Sequence, residues 1–166
     1  RAIARDGLPD EARPDLALEI GTGPALLTEH LSPLAAHVVT VELDRGLAEL
    51  ARQRLADRPN VTLVETDALD GKHAIHPLVL EALAARLAAL PPGARVRPVA
   101  NLPYAVATPL VVQLLGADLP LGPMVVMVQL EAAQRFAAGP GDEAYGAVSV
   151  LCRAACESVT ILRRVP

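Results

Sequence analysis

Aromatic side chains are scarce in this chain. Its 166 residues hold two Tyr, one Phe and no Trp, an aromatic share of 2%. The apolar mass is instead Ala, Leu and Val, which suits helices packed on a buried parallel sheet. Each aromatic therefore counts, and Tyr104, Phe136 and Tyr145 are the whole set. Lysine is rarer still: Lys72 is the only one, so almost all positive charge is Arg, the better fork for phosphate. A formal net charge of −4 and a pI near 5.5 do not advertise a nucleic-acid binder, and loose groups such as Arg52, Arg54 and Arg58 read as solvated helix faces. The two cysteines, Cys152 and Cys156, are too few for a disulfide framework and read as buried thiols in a reducing compartment. No run of roughly eighteen apolar residues is free of Pro or polar breaks, so no membrane helix is expected. No basic, apolar leader opens the chain, and it starts at Arg1 without Met, which suggests a fragment. His73 and His76 have the spacing of half a metal site but lack a convincing Cys or acidic partner, so no metal is expected.

Hydrophobic residues make up 52% of the chain and charged residues 20%, with a mean hydropathy of +0.34, the balance of a globular domain. The length fits one domain or most of one. Residues 1–13, broken by Gly7 and Pro9, read as a helix end and loop. Short apolar runs at 16–20, 38–42 and 61–65 read as strands, and the segments between them, about 25–36 and 45–57, read as helices, the second capped by Asp44. Right-handed crossovers make that alternation a parallel sheet with helices on its faces. The stretch from Leu69 to Gly93 is the least regular and contains a helix over about 77–90. A fourth strand should end at Asn101, although Pro98 lacks the donor that a central strand needs; either the strand is very short or that position faces a bulge. Helices are then expected at 105–116, 130–138 and 146–155, and strands at 123–129 and 157–162.

Chemistry concentrates where strands end. Glu19-Ile20-Gly21-Thr22-Gly23 closes the first strand, and glycine lets the backbone turn tightly and approach a ligand. The third glycine of a dinucleotide fingerprint would fall at Leu26, so a loop that hugs pyrophosphate is disfavoured. What remains fits a ligand with an adenosine and an amino-acid tail but no phosphate. Glu42 ends the second strand, where a carboxylate can accept from both hydroxyls of a ribose, and Asp67 ends the third, where it could accept from an adenine amine. Each acid also reads as a helix cap or a solvated strand end. Asn101-Leu102-Pro103-Tyr104 ends the fourth strand and offers side-chain and carbonyl acceptors beside a flat face, the parts needed to hold a flipped nucleobase. It too has a plainer reading, as a turn. That all four fall at strand ends is the strongest signal in the sequence, because such residues would project into one crevice.

With these residues in hand the chain resembles the ribosomal RNA adenine N6-dimethyltransferases, specifically those acting on small-subunit rRNA. The resemblance is carried by Glu19-Ile20-Gly21-Thr22-Gly23 with Leu27-Thr28, Val41-Glu42-Leu43-Asp44, Asp67-Ala68, Asn101-Leu102-Pro103-Tyr104 with Thr108-Pro109-Leu110, Met127-Val128-Gln129 with Glu131, and Ala144-Tyr145-Gly146 with Ser149-Val150. It implies a Rossmann-like S-adenosylmethionine-dependent methyltransferase fold, with a mostly parallel sheet, helices on both faces, and neither the final strand nor the C-terminal helical domain of the family. It implies an S-adenosyl-L-methionine site at Glu19, Gly21, Thr22, Gly23, Glu42, Leu43, Asp67, Ala68 and Asn101. The target adenine falls to Asn101, Leu102, Pro103 and Tyr104.

The activity so implied is a transfer of methyl groups to N6 of adenosine in the rRNA of the small ribosomal subunit, twice per base, in support of ribosome maturation. The implied protein is a cytoplasmic monomer whose partner is ribosomal RNA, with no membrane and no metal. The family's N-terminal Gln-Asn/His-Phe-Leu motif has no counterpart before Leu16, and the chain stops at Val165-Pro166, where the family continues into a last strand and a helical RNA-binding domain. Residues 1–166 are therefore expected to be a methyltransferase domain truncated at both ends. Three other readings remain: a non-enzymatic RNA-binding or ribosome-assembly factor on the same fold, a DNA adenine N6-methyltransferase, and a nicotinamide dehydrogenase, the last weakened by Leu26.

Overall fold

Apolar runs of five or six residues, too short for helices and rich in Val, Leu and Ile, build the centre of the molecule. The computed structural model describes residues 2–9, 15–71 and 74–164. In chain order the elements are α1 (Ala2–Gly7), β1 (Leu16–Ile20), α2 (Leu26–Leu31), β2 (His37–Glu42), α3 (Arg45–Arg54), β3 (Val61–Glu65), β4 (Leu69–Asp70), β5 (Ala74–Ile75), α4 (Pro77–Leu87), β6 (Val96–Asn101), α5 (Tyr104–Gly116), β7 (Val125–Met127), α6 (Leu130–Ala137) and α7 (Ala147–Ala155). Five strands form one parallel sheet in the order β3-β2-β1-β6-β7, while β4 and β5 make a small antiparallel pair. The expected α/β architecture is what the chain adopts.

Side chains alternate between the two faces of a strand. Leu16, Leu18, Ile20, Val96, Ala100 and Leu102 point into a core shared with Val79 and Leu83 of α4, Leu110 and Leu114 of α5, Phe136 of α6 and Cys152 of α7. Ala17, Val38 and Val99 point the other way, against Ala4 of α1 and Leu31 of α2. Ala51 of α3 packs on that same side with Val61 and Leu63 beside it. Both faces are thus covered, as a parallel sheet requires.

Pro98 lies inside β6 without ending it. On one side Leu18 pairs with Pro98; on the other, Val96 pairs with Leu121 but Val99 pairs with Val125, so three residues oppose two across Pro98. That extra residue is a bulge. Since Val96 and Leu102 both direct their N–H toward the β7 side, the donor missing at Pro98 falls at the bulge, where no ladder bond is formed.

The strand expected at 157–162 does not form. The segment runs as coil, with Ile161 and Leu162 exposed, and Arg163 reaches back to pair with Asp6 of α1 at 2.6 Å. Its β-branched residues suit a strand, but that preference is realised only where a neighbouring strand supplies a ladder. The strand expected at 123–129 shortens to Val125–Met127, and the helix expected at 25–36 to Leu26–Leu31. His76 caps α4, its Nδ1 accepting from Leu78 N at 3.2 Å, whereas His73 lies outside the described residues. Cys152 and Cys156 are free thiols, and burial raises the pKa of both. No helix among the described residues is long and apolar enough to cross a membrane.

Candidate functional site

The order β3-β2-β1-β6-β7 reverses direction between β1 and β6, and ligands of open α/β sheets sit outside the strands' C-terminal ends at such a switch point. The loops leaving β1 and β6 meet there. Gly21 takes φ +81°, and a Cβ placed on it would stand 3.7 Å from Pro103 Cδ and 3.8 Å from the Asn101 carbonyl oxygen, filling the gap between the two loops. Gly23 takes φ +53° with nothing within 4 Å of the Cβ position, so the loop is open on that side. Ala25 adopts the left-handed region as well, with φ 61°, a conformation glycine takes more readily. The loop is tied to β2 by Gly21 N and Thr22 N, which donate to the Val41 carbonyl at 2.9 and 3.1 Å.

Glu42 clamps that loop. Its Oε2 accepts from Gly23 N at 2.8 Å and its Oε1 from Asp44 N at 2.9 Å, and the side chain is 8% exposed. Each oxygen keeps capacity for a second bond. The helix cap is Asp44, whose Oδ1 accepts from Leu47 N at 2.8 Å. Leu43, between the two acids, is 67% exposed, an apolar platform at the rim. Thr66 N donates to the Glu42 carbonyl at 3.0 Å and so brings Asp67 beside it. Asp67 is exposed; one carboxylate oxygen accepts from Leu69 N at 3.0 Å, while Ala68 is buried in the core.

Glu19 is placed differently. It is 1% exposed, and its Oε2 accepts from Thr28 Oγ1 at 2.6 Å and from Thr40 Oγ1 at 2.8 Å. Thr40 is also 2.6 Å from Thr22 Oγ1 in the glycine loop. Burial pushes the Glu19 carboxyl up to about 7; the Thr28 and Thr40 bonds pull it down, and the neighbouring charge of Glu42 adds to the rise. Glu19 thus stands behind the loop rather than at its surface. Thr28 was named from the sequence only as part of a motif, without a role, and Thr40 not at all, because nothing local links them to a glutamate 9 and 21 positions away.

On the other side of the switch point Asn101 is exposed at the tip of β6 and Tyr104 is 74% exposed on the first turn of α5. Leu102 is anchored between them, its side chain in the core and its N–H donating to the Met127 carbonyl at 3.0 Å. The Pro103 carbonyl is engaged, accepting from Val106 N and Ala107 N at the start of α5. The Leu102 carbonyl takes no donor among the described residues. Met127, opposite Asn101 in the register and half-exposed, completes this corner.

Glu42, Asp67, the glycine loop and the Asn101 loop therefore form one rim along the edge of the sheet. Parity places Glu19, Glu42 and Asn101 on the face that carries α1, α2 and α3. This edge thus brings together a strand-end carboxylate, an apolar rim residue and a glycine gap. Two cavities lie elsewhere: one of about 400 Å³ between α4 and the end of α5, and one of about 100 Å³ beside Phe136 and Arg153. Ser149 is structural. Its hydroxyl donates to the Arg135 carbonyl at 2.6 Å and accepts from Gly146 N at 3.1 Å, joining α7 to α6.

Comparison with known proteins gives consistent results. The profile of the family described as ribosomal RNA adenine dimethylase matches residues 12–166. Ribosomal RNA small subunit methyltransferase A of Alkaliphilus metalliredigens is 36% identical over 152 residues, which cover 92% of this chain and 50% of that protein. Among solved structures, a dimethyladenosine transferase from Plasmodium falciparum superposes with a TM-score of 0.65 at 25% identity, over 90% of this chain and 48% of its own. The 23S rRNA methyltransferase ErmE gives a TM-score of 0.61 at 29% identity, over 82% and 48%. The chain spans about half the length of the curated relatives it matches.

Proposed function

Because the chain belongs to the ribosomal RNA adenine dimethylase family, we propose that it transfers methyl groups from S-adenosyl-L-methionine to N6 of adenosine in small-subunit ribosomal RNA. The observation that carries this reading is the meeting of the glycine loop with the Asn101 loop, Gly21 facing Asn101 and Pro103 across one gap. Glu42 would hold the ribose of the cofactor, Leu43 its adenine plane, Asp67 the adenine amine, and Gly21, Thr22 and Gly23 its amino-acid tail, while Ala68, its side chain in the core, would meet the adenine through its backbone alone. Glu19 supports the loop from behind. Bound there, the cofactor supplies an electrophilic methyl group.

Adenine's N6 is a poor nucleophile, since its lone pair is delocalised into the ring. The Asn101 side-chain oxygen and the Leu102 carbonyl would bond its hydrogens, orient the lone pair and favour the positive charge that develops. Of the two neighbouring carbonyls Leu102 is the better candidate, because that of Pro103 is occupied by the first turn of α5. Tyr104, exposed beside them, offers a face on which the flipped base stacks. No dedicated base is needed, since the ammonium product loses its proton to solvent. We read residues 1–166 as one cofactor-binding domain, acting as a monomer in the cytoplasm, where small subunits mature. The small subunit is preferred over the large because relatives at 35% and 36% identity carry small-subunit names, against 29% for the 23S methyltransferase.

Asn101→Ala separates this mechanism from a structural turn. Methyl transfer should fall severely while cofactor affinity stays within about twofold, because the amide acts on the amine in the reacting geometry. Equal loss of both, or neither, would remove Asn101 from that position.

A further inference from the structure

Two carboxylates stand behind the glycine loop on neighbouring strands and on one face of the sheet, Glu19 of β1 and Glu42 of β2. The ion pairs formed among the described residues all use other acids. An anion buried without a cation is costly unless hydrogen bonds compensate it. For Glu19 that compensation comes from hydroxyls: Thr28 of α2 and Thr40 of β2 both donate to Oε2. The Thr40 hydroxyl has one hydrogen and gives it to Glu19, so in its 2.6 Å contact with Thr22 the donor is Thr22. A directed chain of bonds thus runs from the glycine loop through Thr40 to Glu19, and a second arm reaches the same oxygen from α2.

We propose that Thr28 and Thr40 are positioning residues for cofactor capture: they hold Glu19 as a buried acceptor, order the glycine loop through Thr22, and couple binding of the cationic cofactor to loss of a proton from the Glu19 carboxyl to solvent. The inference rests on the reading of this crevice as the S-adenosylmethionine site. That cofactor carries a sulfonium and an ammonium against one carboxylate, so its net charge is positive. A nearby cation favours the ionised form of a carboxyl group. Since burial has already raised the Glu19 carboxyl to about 7, a share of the molecules still holds the proton near neutrality, and binding must expel it. The other titratable groups on the strands and helices of this face are Glu42 and His37 of β2, Glu29 and His30 of α2, Arg5 and Asp6 of α1, Arg45, Glu49, Arg52 and Arg54 of α3, Glu65 of β3 and Arg97 of β6; of these only Glu42 acts on Glu19. Affinity should therefore increase with pH below the Glu19 midpoint and level off above it, with a limiting slope of about tenfold per unit. Losing either hydroxyl removes a bond that favours the ionised form and moves the midpoint upward.

Calorimetric titration with S-adenosylmethionine between about pH 6 and about pH 8, in pairs of buffers of different ionisation enthalpy, reads affinity and proton count together. The expected result is net proton release near neutrality and an affinity at least roughly fivefold higher at the alkaline end. Thr40→Val and Thr28→Val should weaken binding and shift the midpoint to higher pH, and Thr40→Ser should restore the original profile. A purely structural contribution would lower thermal stability and leave the midpoint in place. A flat profile without proton release in the unaltered protein, or an unmoved midpoint in a folded Thr40→Val variant, overturns the proposal while leaving the cofactor reading intact. Absence of binding at every pH removes the cofactor reading and this inference with it. Should the valine variants fail to fold, the proton count of the unaltered protein and the Thr40→Ser profile decide the matter.

Discussion

Glu19 keeps its proton to a pH where an ordinary glutamate has long lost it, because burial penalises the charged form more than two hydroxyl donors favour it. The consequence for folding has a definite sign. A carboxyl raised from 4.5 to about 7 on folding contributes stability that is complete below the unfolded value and is lost as pH climbs through the folded one. Between these limits the loss approaches about 3 kcal/mol. Glu19→Gln keeps a neutral acceptor in place, so denaturant unfolding of that variant should lack this component of the pH dependence; a parallel decline in both proteins would show that Glu19 is not its source. The residues of the Asn101 loop divide along similarly physical lines. Leu102 is buried and bonded so that its carbonyl can be held still, and Pro103 starts a helix with the carbonyl it might otherwise offer. Asn101 and Tyr104 remain exposed, where a substrate can reach them.

Strand β6 carries the Asn101 loop, and it is secured in its interior and at its start by features that look unfavourable in isolation. Pro98 removes a backbone donor, yet the register slip beside it places that loss at a bulge. At the opposite end of the sheet Asp15, itself buried, accepts from Arg95 N at 2.8 Å and pairs with the Arg97 side chain. Removing one partner of such a pair strands the other charge, so Asp15→Ala should cost about 3 to 5 kcal/mol in urea unfolding. Cofactor affinity of the folded fraction should be unchanged, since the pair lies at the far end of the strands. A loss below about 1 kcal/mol would mean that Arg97 finds water instead. Legibility in the sequence follows the same division. Strand ends were readable because each apolar run stops abruptly at a polar or glycine residue, as at Ile20-Gly21 and Ala100-Asn101. The segment 157–162 misled because Val159 and Ile161 have the propensity of a strand, while pairing depends on a partner the local sequence does not encode. Glu19 and Thr28 were legible as motif residues, but their contact with each other and with Thr40 was not, for a related reason: it exists only once β1, β2 and α2 have been brought together.

Across the whole molecule, the sheet order concentrates chemistry at one edge, and much of the positive charge is already paired. Arg52, Arg54, Arg58, Arg97 and Arg163 are each paired with an acid, and the chain as a whole carries −4. Neutralised phosphates supply most of the affinity for a nucleic acid, and arginines already paired with acids are poorly placed to do so. The most direct measurement is therefore of the reaction product. Incubating the protein with methyl-labelled S-adenosylmethionine and unmethylated small ribosomal subunits, then digesting the RNA to nucleosides, should place the label in N6-methylated adenosine, with the dimethylated form accumulating at long times. Label in any other nucleoside, or in the RNA of large subunits alone, would contradict the account.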